Sequence, residues 1–111
     1  MNFYIYPGIE KKQNLEVNIL KLHSAIKIIT KLDLKDLRKK HRHTKREITY
    51  IQYICFLIRR EKMNESLNTI ARYYLKDHTT ILYGIKKIKN LIEVDKEVNY
   101  IYNMIVNVYN K

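Results

Sequence analysis

The sequence predicts an all-α fold, a compact domain of five or six helices, on three observations. Apolar residues recur at steps of three and four through separate stretches of the chain, the spacing of one helix face. Glycine and proline are rare, at Gly 2 and Pro 1, which argues against a loop-rich or many-stranded fold. The chain of 111 residues is 46% hydrophobic, enough for one domain with one modest core.

Residues 1–14 read as an N-terminal arm: aromatic at first, then a turn at Pro7-Gly8, then the polar run Glu10-Lys11-Lys12-Gln13-Asn14. The domain itself is expected over 15–111. Its first helix starts at Leu15, where Leu15, Ile19, Leu22, Ile26 and Ile29 share a face. A break over Thr30 to Asp33 precedes a single helical turn carrying Leu34 and Leu37. A second long helix is expected from Glu47 to Arg60, with Ile51, Cys55 and Ile58 inward and Ile48, Ile54 and Leu57 widening that face. Ser66 or Asn64 is placed to cap a short helix from Leu67 to Tyr74, which buries Leu67, Ile70 and Ala71. Asp77 reads as the N-cap of the next helix, whose stripe is Ile81, Ile85, Ile88 and Ile92. The last helix, Val94 to Tyr109, turns Val94, Val98, Ile101, Ile105 and Val108 inward.

Charge narrows the class of partner. Lys and Arg number 22 against 11 Asp and Glu, a formal net charge of +11, and such a surplus favours a polyanion. It is concentrated between Lys35 and Arg46, where Arg38, Lys39, Lys40, Arg42 and Lys45 stand among His41 and His43 with only Asp36 opposing. Cys55 is the single cysteine, so no intramolecular disulfide forms and a reducing compartment fits. Charged residues interrupt every apolar run before it reaches membrane-spanning length, and Met1-Asn2-Phe3-Tyr4 lacks the basic start of a secretion signal. The expectation is a soluble, cytoplasmic protein without membrane or small-molecule partners. His41, His43 and His78 come without zinc-type Cys/His spacing, and no recognisable Ser/His/Asp set or placed carboxylate pair is present. No metal, cofactor or enzymatic activity is therefore expected. Among the ten tyrosines, Tyr53, Tyr73 and Tyr74 fall beside core positions, whereas Tyr50 and Tyr83 are candidate contacts.

Ser66-Leu67-Asn68-Thr69-Ile70-Ala71, followed by Lys76-Asp77-His78-Thr79-Thr80-Ile81, resembles the C-terminal DNA-binding domain of the bacterial replication initiator DnaA. That family reads S-L-x-x-I-G, a glycine-bearing turn, then R-D-H-T-T-V. Leu34-Lys35-Asp36-Leu37 and the basic run after it are similar to the family's lead-in loop, and the likeness extends over about residues 20–107. The resemblance implies a helix-turn-helix related to that of Trp repressor. It implies too that the helix opened by Asp77 enters the major groove, with Asp77, His78, Thr79, Thr80 and Tyr83 against bases. The basic loop would then follow phosphates through Arg38, Lys39, Lys40 and Lys45 and send Arg42 or Arg46 into the minor groove. Two departures stand out. The turn Tyr74-Leu75-Lys76 has no glycine and is a residue shorter, and Ile51-Gln52-Tyr53 replaces the family's P-R-Q element. No Gly-rich phosphate loop ending in Lys-Ser/Thr is present, so ATP-driven origin melting does not carry over.

The residues support this reading on physical grounds. A helix N-terminus presents unpaired N–H groups and partial positive charge to phosphate, and a threonine offers both a hydroxyl and a methyl that packs on thymine. Ser66, Lys76, Lys86, Lys87 and Gln52 are further candidate phosphate contacts, Gln52 with the added option of reading adenine. The expected function is sequence-specific binding of double-stranded DNA, as origin or operator recognition in replication initiation or its regulation. A transcriptional regulator of a phage or mobile element is the alternative. From other classes, the alternatives are an RNA- or single-strand-binding protein using its tyrosines, or a helical protein-interaction module.

Overall fold

A computed structural model describes residues 7–40 and 45–111, with side chains from Leu15 onward. Six helices follow one another among the described residues, with no strand: α1 (Pro7–Thr30), α2 (Leu34–Leu37), α3 (Arg46–Glu61), α4 (Leu67–Tyr74), α5 (His78–Val94) and α6 (Lys96–Tyr109). The all-α expectation holds. The one early boundary that differs is the first. Pro7 and Gly8 lie in the opening turn of α1 instead of forming a turn before it. Proline suits that place, because its missing N–H is one that a first helical turn leaves unbonded anyway.

Local chemistry accounts for the breaks. Thr30 turns its hydroxyl back onto the Ile26 carbonyl at 2.7 Å, and Lys31 then takes a left-handed conformation with φ 64. Asp33 and Asp36 close a capping box around α2, each carboxylate accepting the other's backbone N–H, which holds a helix of only four residues. Asn64 is left-handed too (φ 54), so it ends the turn after α3, and the cap of α4 is Ser66, whose Oγ accepts from the Thr69 N–H at 3.1 Å. Asp95 caps α6 by accepting from Glu97 and Val98.

α3 is the centre. Every residue from Ile51 to Arg59 is buried, because α1, α2, α4 and α5 all pack against it. The single widened face expected for this helix is thus an understatement, and Tyr53 and Phe56 join the core along with it. Leu22 and Ile26 of α1, Ile70 and Tyr74 of α4, and Ile81 and Ile88 of α5 complete the cluster. α6 closes it from the far side, against α1 and α5. One inward assignment needs correction: Val94 ends α5 and is 79% exposed, since the α5–α6 corner at Asp95 turns it outward, whereas Leu67 at the start of α4 is half-buried and packs against the core.

Candidate nucleic-acid interface

α3, α4 and α5 form the helix-turn-helix, and its turn is unusual. Leu75 adopts the left-handed conformation, φ 57 and ψ 44, which the glycine-free sequence otherwise gives no residue to adopt cheaply. Lys76 N–H then bonds the Ala71 carbonyl at 2.9 Å, completing a Schellman-type close on α4. Three residues suffice to reorient the chain into α5.

Asp77 occupies the N-cap of α5, but its side chain makes no capping hydrogen bond. That corrects the expectation that the carboxylate seals the helix; it is exposed and left for another partner. His78 and Thr79 are exposed and Thr80 is half-buried. Behind them Ile81, Gly84, Ile85 and Ile88 are buried, so the opposite face of α5 is the solvent face. It carries Tyr83, 56% exposed, with Lys86 and Lys87, and the Lys87 ammonium stands 5.8 Å from the centre of the Tyr83 ring.

The basic segment lies against the turn. Arg38 donates from Nε to the Tyr73 carbonyl at 2.8 Å with its guanidinium 5.4 Å from the centre of the Tyr73 ring. Lys76 donates from Nζ to the Lys39 carbonyl. Burial first, then the neighbouring charge of Lys40, lowers the Lys76 ammonium below the usual lysine range, which sets Lys40 beside it. Lys39 is exposed and paired with Asp36 at 3.1 Å. Lys45 and Arg46 are exposed at the start of α3, where Arg46 donates from Nε to the Tyr50 hydroxyl at 2.9 Å. Arg42, the other minor-groove candidate, lies outside the described residues.

Gln52 is the clearest correction among the candidate contacts. It is fully buried, at 0% exposure, and cannot reach a phosphate or a base. Its Nε2 donates to the carbonyls of Asp36 at 3.0 Å and Lys39 at 3.2 Å. Ser66 is exposed but sits at the far end of α4 from the turn, about 12 Å away by helix rise, so the structure does not gather it with His78 and Thr79.

Beneath this face lies a polar core that sequence reasoning did not find. Arg59 and Glu65, both buried, form a two-pronged ion pair, with the guanidinium stacked 4.2 Å from the Tyr73 ring centre. Burial alone would lower the Arg59 guanidinium; the Glu65 carboxylate and Tyr74 hydroxyl outweigh it and raise it. The Tyr74 hydroxyl also meets His23 Nε2 at 2.8 Å and Cys55 Sγ at 2.7 Å. Burial pushes the Cys55 thiol up to about 12, so it is no nucleophile. The network supports α4 from below.

Among the described residues no helix is long and apolar enough to cross a membrane. No solved structure matches the chain. The family model described as the bacterial dnaA protein helix-turn-helix matches residues 21–88, which is more than half the chain and runs from α1 into α5. The exposed start of α5 stands behind a three-residue turn and beside a lysine-rich segment, and with the family model matched over more than half its length the chain belongs to the DnaA helix-turn-helix family of DNA-binding domains.

Proposed function

We propose that this chain recognises a specific site in double-stranded DNA, and that it serves origin or operator recognition in replication initiation or its regulation. The start of α5 enters the major groove, where Asp77, His78 and Thr79 meet base edges. Lys39, Lys40 and Lys45 follow the flanking phosphates, and Arg42 or Arg46 enters the adjacent minor groove. Tyr83, Lys86 and Lys87 line the side of the groove. Phosphate contacts set register and base contacts set sequence, so both parts are needed.

One observation carries this reading: the exposed first turn of α5 and the basic segment are held side by side by bonds from Arg38 and Lys76. The test uses His78→Ala and Thr79→Ala. Both side chains are exposed, so removing either opens no cavity and stability should change by less than about 0.5 kcal/mol. Binding to the preferred duplex, selected from a random pool, should weaken by about 1–3 kcal/mol with little change on random duplex. Should both variants keep full preference, α5 does not read the site.

A further inference from the structure

Gln52 belongs to α3, and its side chain is spent on the main chain of the basic segment. Its side chain is fully buried, and its amide nitrogen bridges two main-chain carbonyls, of Asp36 and Lys39. The amide oxygen finds no partner among the described residues. Lys39's carbonyl receives a second donor, the Lys76 ammonium, from the turn ahead of α5. Arg38 returns the link by donating to the Tyr73 carbonyl. Side chains of α3, of the turn and of the segment itself thus converge on a few carbonyls.

A run of like charges repels itself and, unheld, samples many positions; fixing it beforehand removes that ordering cost from binding. We infer that Gln52 and Lys76 are positioning residues, clasping the carbonyls of Asp36 and Lys39 so that residues 36–40 are held in register with the start of α5 before DNA arrives. This rests on the duplex-binding reading above and adds residues to it that never touch a base. The clasp also explains why a chain whose turn is short and without glycine still places its basic segment beside α5: Lys76, the last residue before Asp77, is part of the bond set.

Gln52→Met tests the inference, because methionine keeps the length and loses the donor. Any effect on DNA binding must travel through the segment, since residue 52 is out of reach of DNA. Amide hydrogen exchange at Arg38 and Lys39 in the free protein should quicken at least tenfold, while Ile85 and Ile88 in α5 hold their rates. Binding should weaken at least fivefold on preferred and random duplex alike, and the log–log salt slope should become shallower by about 2, the loss of two phosphate contacts. Unchanged exchange at Arg38 and Lys39, or quickened exchange with affinity and slope intact, overturns the clasp. Lys76→Met, at the edge of the same bonds, gives a second reading should Gln52→Met fail to fold. It should quicken the same two amides, and Lys76→Arg, which keeps a donor, should restore them. If the unaltered protein binds no duplex at all, the functional reading falls, and the exchange rates still decide the clasp.

Discussion

His23 faces the Tyr74 hydroxyl from α1 and stands near the charges of Arg59 and Arg38, with the Tyr73 ring 5.6 Å away. Burial first, then those two guanidinium groups, lowers its pKa from the ordinary 6.5 to about 4. The unfolded chain therefore takes up a proton near pH 6.5 that the folded one refuses until about pH 4. Stability is full above pH 6.5, falls as the pH drops through that window, and levels off below it. The loss should be on the order of 2–3 kcal/mol. Denaturant melts from pH 7 to pH 4 should show it, and His23→Gln should flatten that slope. A slope the same in both proteins would place the acid sensitivity elsewhere. Neither His23 nor the Arg59–Glu65 pair announces itself in the sequence: each residue type is common on surfaces, and the partners of His23 lie on other elements.

Between elements, α5 packs against α3 at Gly84, with the Tyr53 ring against it. A Cβ there would stand within 3.0 Å of three ring atoms of Tyr53. The ring has little freedom to withdraw, being 5% exposed and flanked by Phe56 and Tyr83 at centroid distances of 6.1 and 6.3 Å. Gly84→Ala gains about 1 kcal/mol of helix propensity but meets overpacking of about 1–3 kcal/mol, so Tm should fall. A rise in Tm would show that α3 and α5 can separate freely. The helices themselves were largely legible: α4 spans the expected residues, and the stripes of α1 and α5 point inward as their periodicity requires. Legibility ended where period stops carrying information. α3 is buried all round, so a one-face stripe could not describe it, and Val94 fits the period of α6 but lies before the Asp95 corner.

Across the molecule, Lys39 and Lys40 lie beside the turn that opens α5. If the basic residues and the start of α5 neutralise about five to eight phosphates, log affinity should fall against log salt with a slope of about −4.5 to −7. A slope shallower than about −2, measured over several salt concentrations, would rule out phosphate tracking. The helical class, the Ser66 cap, the basic run and the Asp77-His78-Thr79-Thr80 start of α5 were all readable from the chain, because each depends on neighbours within a turn or two of helix. Which of the basic and polar residues remain available to DNA was not. Gln52, Arg38 and Lys76 look like phosphate contacts in the sequence, yet Gln52 is buried, and Arg38 and Lys76 each give one donor to a main-chain carbonyl while keeping others. A side chain's hydrogen-bonding capacity follows from its type; whether the protein has already used it depends on groups brought near by folding, such as Lys39 and Lys76, which lie 37 positions apart in the chain.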